Sequence, residues 1–408
     1  MKMINGYHRL NRMQQLEILS QTTGIDGKSL ANLSFDQVRS QIIENYLTDY
    51  ILPEGILVNL RVNKKDYVVP MVTEEPSVVA AANNGAKLFH TFGEITAHAE
   101  RLKMGQVLIS GVSQKKDLIE NLRAFENELL AVANQAYPSI VKRGGGAQKI
   151  RVRQLGVDSL SLDVYVDTKD AMGANIVNTM MEAIAATLEV KFKVTTEMAI
   201  LSNFTDRATV KVTGIIDANA IEHSVAEKIV KASEFAQVDP YRATTHNKGI
   251  MNGVDAVVMA TGNDWRAIQS GAHAFAARDG QYKGLSTWHL DGSKLVGTLE
   301  IPMAVATVGG SIKINPMAQL NLELLGISDS RELAEVIGSV GLVQNLAALK
   351  ALVTDGIQKG HMQMQARSLL LSNGIHPKNI ERGVRALLKY DRMNAESAMQ
   401  VIKEIEGK

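Results

Sequence analysis

The chain has 408 residues, 44 of them Lys or Arg and 43 Asp or Glu, with 45% hydrophobic residues and no cysteine. That is globular composition, and at roughly 100 to 200 residues per domain it predicts two or three domains. Near-zero net charge gives no support to nucleic-acid binding by counterion release, and the missing thiols exclude a disulfide scaffold, a cysteine nucleophile, an iron–sulfur cluster and a thiolate zinc site. The polar stretch Met1 to Asn11 lacks the apolar core of a signal peptide, and no window approaches the ~20 apolar residues of a membrane helix. The expectation is a cytoplasmic protein with neither nucleic acid nor membrane as partner.

From Arg9 to about Tyr50 the spacing is helical, through Leu10, Leu16, Ile18, Leu19, Val38, Ile42 and Leu47. Ile56, Val58, Leu60 and Val62 then alternate as a strand. A Lys64-Lys65-Asp66 turn leads into a second strand through Tyr67, Val68 and Val69. Glu74-Glu75-Pro76-Ser77 precedes a small-residue run, and Pro76 suits a first helical turn faced by acids.

A separate unit begins near Met104. It reads as a strand over Val107 to Val112, then a helix with Leu118, Leu122, Phe125, Leu129 and Val132 on one face. Strands follow over Ile150 to Leu155 and through Leu160, Leu162, Val164 and Val166, and a second helix carries Ile176 to Leu188. A last strand falls between Val190 and Leu201, or alternatively at Thr209 to Val212. The order is βαββαβ, the ferredoxin-like arrangement. After about Asn203 mixed helix and strand resume, and the last 50 or so residues read as helical, joined through Gly356 and Gly360. Such a tail is either a lid or a fixed capping bundle.

Several residues have types suited to chemistry. Asp170-Ala171-Met172-Gly173-Ala174-Asn175 connects a strand to a helix, and a small-residue loop at a helix N-terminus presents free N–H groups to phosphate. There is no G-x-G-x-x-G. Lys248, between Asn247 and Gly249, has the charge to stabilise an oxyanion or is a solvated surface lysine. Glu75 is a proton donor or a helix-terminal acid, and His361 an acid–base group or a surface histidine. No metal-ligand spacing such as H-E-x-x-H appears, so no metal is expected.

Together, Val69-Pro70-Met71-Val72-Thr73-Glu74-Glu75-Pro76-Ser77, the Asp170 to Asn175 loop, Asp239-Pro240-Tyr241-Arg242 with Thr245 to Gly253, Ala260 to Trp265 and Gly360-His361-Met362 resemble the hydroxymethylglutaryl-CoA (HMG-CoA) reductases of class II, from about Ile43 onward. The resemblance implies an α+β fold. A large mixed α/β catalytic domain (1–100 and 204–355) would carry an inserted ferredoxin-like cofactor domain (101–203) and a C-terminal helical flap (356–408). It implies reduction of HMG-CoA to mevalonate and CoA, or the reverse, by two hydride transfers. Lys248 would stabilise the oxyanion, Asp264 orient Lys248, Glu75 donate a proton and His361 protonate the CoA thiolate. Substrate contacts carried over are Arg242, Ser77 and Asn252. Cofactor contacts are Asp170, Ala171, Met172, Gly173, Ala174, Asn175 and Asn203.

Tyr137 stands where some NADH-preferring relatives carry an acid, and Lys142 and Arg143 follow, so NADPH is favoured over NADH. Homodimers, or assemblies of dimers, with active sites between subunits are implied. Two positions depart from the family: Thr48 where Glu-Asn-x-x-Gly is common, and Gln365 where relatives carry a second histidine. The rival readings are an NAD(P)-dependent oxidoreductase of another acyl-CoA and a non-catalytic CoA- or nucleotide-binding regulator.

Overall fold

The structure is a computed structural model that describes residues 4–354 and 356–407, with only the backbone at residues 311 and 357–361. The chain divides into two compact units, Met1–Pro53 and Glu54–Lys408.

In the first unit the expected long helical region shortens to Arg12–Thr23 and Gly27–Ala31. Asn11 and Gln14 form a reciprocal capping box at the start of the first helix, and Gly24, at φ 75°, ends it. Beyond Ala31 the chain is mostly turns held by side chains. Phe35 and Tyr46 pack edge to face at 5.6 Å, Arg12 lies over Phe35, and the Tyr46 hydroxyl donates to Asp49 at 2.9 Å. Val38, Ile42 and Leu47 imitate helical spacing, but Asn45 takes a left-handed φ of 57° that an α-helix cannot contain.

The described residues of the second unit form ten strands: β1 (Glu54–Val62), β2 (Lys65–Val72), β3 (Gly93–Ala99), β4 (Leu102–Ser110), β5 (Gly146–Leu155), β6 (Ser159–Asp167), β7 (Thr195–Arg207), β8 (Thr209–Asp217), β9 (Ser286–Asp291) and β10 (Lys294–Pro302). β1 and β2 form a hairpin whose turn is Asn63-Lys64, both at positive φ, rather than Lys64 to Asp66. A bulge at Asn59 (φ 62°) shifts the face of β1. Leu57, Leu60 and Val62 are buried, whereas Ile56 and Val58, expected on the same side, are exposed.

Two four-stranded antiparallel sheets follow, in the orders β3-β8-β10-β9 and β5-β6-β4-β7. The last strand of the second sheet is therefore β7, and Thr209 to Val212 belongs to the other sheet. β7 continues past residue 203 to Arg207, which pairs with Leu102. The expected single helix over Leu118 to Val132 breaks at Phe125 into Lys115–Ala124 and Glu126–Ala136. Leu122, Leu129, Leu162, Met180 and Ile184 centre a core for this sheet, and a separate, larger core surrounds the helices Pro76–Phe92, Pro240–Ala260 and Ser330–Val353.

The Ser330–Val353 helix overturns one expectation. It is long and apolar enough to cross a membrane, with a mean hydropathy of 1.6, yet 72% of its apolar window is buried inside the protein. Close helix packing explains the burial: a Cβ on Gly85 would lie 2.1 Å from the Val343 carbonyl oxygen. The C-terminal helices Ile357–Ser372, Ile380–Leu387 and Ala395–Glu406 close on a third core of Ala366, Leu370, Val384, Leu387, Ala398 and Val401.

Candidate active site

β2 delivers the chain to Glu75, the N-cap of the Pro76–Phe92 helix. The Glu75 carboxylate does not cap that helix. Ser77 Oγ donates to its Oε1 at 2.7 Å, and Lys248 Nζ donates to its Oε2 at 3.0 Å. Lys248 lies on the Pro240–Ala260 helix, which Pro240 starts and the Asp239 carboxylate caps by accepting from the N–H groups of Tyr241 and Arg242. Helical spacing puts Arg242, Thr245, Gly249 and Asn252 along one stripe. With Glu75, Ser77 and Lys248 they line a cleft of about 600 Å³.

Arg242 is half-buried, and its Nε is a buried donor without a partner among the described residues. Burial pulls the guanidinium pKa down from its ordinary value. A planar fork held in that state is suited to a carboxylate arriving from solution. Beside it is a residue that sequence reasoning missed. His246, 2% exposed, contacts Ser286 Oγ through Nε2 at 2.7 Å. Ser286 Oγ donates in turn to Asn345 Oδ1 at 2.8 Å, which also accepts from Trp288 Nε1 at 2.7 Å. Burial first, and then the Arg242 charge, push the imidazole down to about 3, so His246 is neutral. Its place within Thr245-His246-Asn247-Lys248 was the available signal.

The Asp170 to Asn175 segment borders a second cleft, of about 990 Å³. Ala171 to Ile176 line it, with Tyr137, Arg143, Arg266 and Lys313 among the other walls. Gly173 has φ 90°, and a Cβ there would fall 2.4 Å from Thr168 Cγ2, so the turn requires glycine. It opens the Ala174–Phe192 helix, whose free N–H groups and the three nearby cations make the cleft suited to phosphate.

Two expected cofactor residues stand apart. The Asp170 carboxylate accepts from Ser330 N at 3.0 Å, capping the core helix, while its backbone oxygen accepts from the N–H groups of Thr307 and Val308. Asn203 is exposed on β7 and lines a narrow crevice behind the loop, together with Met172 and Lys103.

Asp264 borders the second cleft, not the first. It caps the Trp265–Ala276 helix and accepts from Arg266 Nε at 3.1 Å. Burial on its own raises the carboxyl, but Arg266 and the Ala267 N–H outweigh it and hold the pKa below the ordinary value. In this chain Asp264 thus pairs with Arg266, and Lys248 with Glu75. A third cleft, of about 610 Å³, sets Glu75 and Ser77 opposite Met362 and Gln365 of the Ile357–Ser372 helix and Tyr390 and Asp391 of the bend that follows Ile380–Leu387. His361 belongs to the Ile357–Ser372 helix, but its side chain lies outside the described residues. Among the described residues no group of three or more His, Asp or Glu side chains is placed to hold a metal ion.

The chain is a mixed α/β protein with separate clefts, one lined by Lys248 and Arg242 and another by the Ala171 to Asn175 loop, Arg143 and Arg266. Residues 11–366 match the family model described as hydroxymethylglutaryl-coenzyme A reductase. The 3-hydroxy-3-methylglutaryl-coenzyme A reductase of Archaeoglobus fulgidus is 38% identical over 419 residues, spanning 99% of this chain and 95% of that protein. The probable enzyme of Borreliella burgdorferi is 34% identical, over 89% of this chain and 86% of its own length. A structure of the Streptococcus pneumoniae class II reductase bound to NADPH in open conformations has a TM-score of 0.77 and 44% identity, covering 97% of this chain and 99% of that one. The chain belongs to the hydroxymethylglutaryl-coenzyme A reductase family.

Proposed function

We propose that the chain reduces HMG-CoA to mevalonate and CoA, or runs the reverse reaction, with NADPH as the preferred cofactor. The observation that carries this reading is the Glu75–Lys248 pair at 3.0 Å in the same cleft as Arg242, whose buried Nε has no partner among the described residues. Two molecules of the nicotinamide dinucleotide, bound in succession, would supply the two hydrides, one each. The rest falls to the chain's own residues.

Arg242 binds the free carboxylate of the hydroxymethylglutaryl group, with Ser77 and Asn252 beside it. Charge that develops on the thioester oxygen during the first reduction meets Lys248 Nζ. Glu75, bonded to that Nζ, passes a proton to or from the same oxygen as the hemithioacetal forms and collapses to aldehyde and CoA thiolate. His361 protonates the departing thiolate, which otherwise re-adds to the aldehyde, since a free thiol has a pKa of about 8.5. The second reduction gives the alcohol, its oxygen again held at Lys248.

We assign the phosphates of the cofactor to the Ala171 to Asn175 loop. Arg143 and Lys142 supply positive charge for a 2′-phosphate, and the absence of an acid at Tyr137 favours NADPH over NADH. Residues 101–203 are proposed as a ferredoxin-like cofactor domain inserted in a catalytic domain (1–100 and 204–355), a reading supported by the strand order β5-β6-β4-β7 and a core of its own. Residues 356–408 are proposed as the flap that brings His361 to the site.

Homodimers, or assemblies of dimers, complete the arrangement. Lys248 and Asp264 border different clefts of one chain, so the carboxylate that orients Lys248 is assigned to a second copy. Met317, Leu320 and Leu324 leave an apolar stripe of the Pro316–Leu325 helix exposed, as an interface would use. Initial rates with HMG-CoA and each cofactor test the reading. The expected results are oxidation of two nicotinamides per CoA released, a higher kcat/KM with NADPH, and a loss of about 100- to 1,000-fold in turnover for Lys248→Ala. No nicotinamide oxidation with HMG-CoA overturns it.

A further inference from the structure

Behind the Ala171 to Asn175 loop, Lys103 on β4 is 1% exposed. Its Nζ donates to Thr168 Oγ1 at 2.8 Å and to the Ala171 carbonyl oxygen at 2.7 Å, and Thr168 Oγ1 donates to the same carbonyl at 2.8 Å. A buried ammonium is ordinarily paired, because removing an uncompensated charge from water is costly. Among the described residues no carboxylate forms an ion pair with Lys103.

The nearby acids have other partners. Asp167, at the end of β6, is paired with Arg101 at 3.0 Å and Lys169 at 3.4 Å, and the Asp170 carboxylate accepts from Ser330 N. Facing Lys103 across the crevice, Ser202, Asn203 and Thr205 of β7 and Ala267 and Ile268 of the Trp265–Ala276 helix offer no ionisable group. Thr168, to which Lys103 is bonded, is also the residue against which a Cβ on Gly173 would clash. The lysine therefore fixes the two points, Thr168 and Ala171, between which the chain enters the left-handed turn.

We infer that Lys103 is the positioning residue of the cofactor loop, holding the turn through Gly173 in its phosphate-receiving form and supplying positive charge beneath it, so that cofactor binding and protonation of Lys103 are coupled. This rests on reading the 990 Å³ cleft as the dinucleotide site. Burial pulls the Lys103 ammonium down to about 7; Asp167 opposes the drop, Arg101 adds to it and Asp170 opposes it. Near pH 8 the lysine of the free protein is mostly neutral. An anionic ligand over the loop favours the ammonium form, so binding takes up a proton, and by reciprocity affinity falls as pH rises above 7. The 2′-phosphate of NADPH has its second pKa at about 6, below this window and with the opposite sign.

Calorimetric titration of NADPH into the full-length protein at pH 7, 8 and 9, in buffers of different ionisation enthalpy, tests the coupling. The wild type is expected to take up protons at pH 8, and its Kd to rise about fivefold between pH 7 and pH 9 for a one-unit shift of the lysine on binding. Lys103→Met is expected to bind NADPH more weakly at pH 7, with a flat Kd and no uptake, while KM for HMG-CoA is unchanged. A purely structural lysine moves neither the proton count nor the pH slope. Should Lys103→Met fail to fold, Lys103→Arg, which stays charged across this range, is expected to bind NADPH without uptake and with a flat Kd, and uptake that persists in it overturns the role. Binding by the wild type without uptake and with a flat Kd overturns the role of Lys103, as does uptake that persists in Lys103→Met. Failure of the wild type to bind NADPH at all overturns the dinucleotide reading itself.

Discussion

Glu75 and Lys248 meet at 3.0 Å with 32% and 63% of their side chains exposed. Ion pairs so open to water contribute little to stability, so a loss of turnover on breaking this pair would not trace to unfolding. His246 is the opposite case, buried, neutral and tied to Ser286. Its pKa in the folded chain, about 3, lies below the unfolded value of about 6.5, so its contribution to stability is fully present above pH 6.5 and is lost as pH falls toward 3. Asp255 acts with the opposite sign in the same range. Burial raises it to about 6, so its contribution is lost as pH rises through 6. The wild type alone should therefore show a shallow acid dependence, and the informative quantity is its difference from His246→Gln. Chemical denaturation at pH 7 and pH 5 should give the variant about 2 kcal/mol less loss on acidification than the wild type. Equal losses would mean that His246 is already protonated in the folded chain.

At the scale of elements, the C-terminal helices carry a core of their own around Leu370, Leu387 and Val401, and Gln365 of the first of them and Tyr390 of a bend between the others stand opposite Glu75. Removing the residues after Gly356 should abolish turnover while leaving NADPH binding measurable by fluorescence. Loss of both would make the helices a structural part of the fold rather than a flap. Elements with a single uninterrupted period were legible in the sequence: β6, the Ala174–Phe192 helix and β2 fall where alternation or helical spacing put them. Legibility ended where one residue changed the backbone. Asn59 bulges β1 and moves Ile56 to the surface, Asn45 stops a helix that Ile42 and Leu47 imitate, and Phe125 splits a helix whose apolar face continues across the break. The apolar length of Ser330–Val353 was overlooked, because glycine and polar residues interrupt it without ending its burial.

For the whole molecule, the residue types of the site were legible and their grouping was not. Linear motifs brought Glu75, Lys248 and Arg242 forward, and those three share a cleft. No spacing in the sequence tells that Asp264 turns toward the Ala171 to Asn175 loop and Arg266, or that Asp170 serves the Ser330 helix, since both follow from how distant elements pack. Lys248 and Asp264 line different clefts of one chain, and on the proposed reading each is a half-site that the dimer joins, the lysine cleft of one copy to the aspartate cleft of its partner. Mixing two inactive variants, Lys248→Ala and Asp264→Asn, measures this directly. After co-refolding or co-expression, a two-fold dimer should recover about a quarter of wild-type turnover, because half of the dimers are mixed and each holds one intact site. Turnover no higher than that of the separate variants would contradict it, and would return Asp264 to the same chain's Lys248 or remove it from the chemistry.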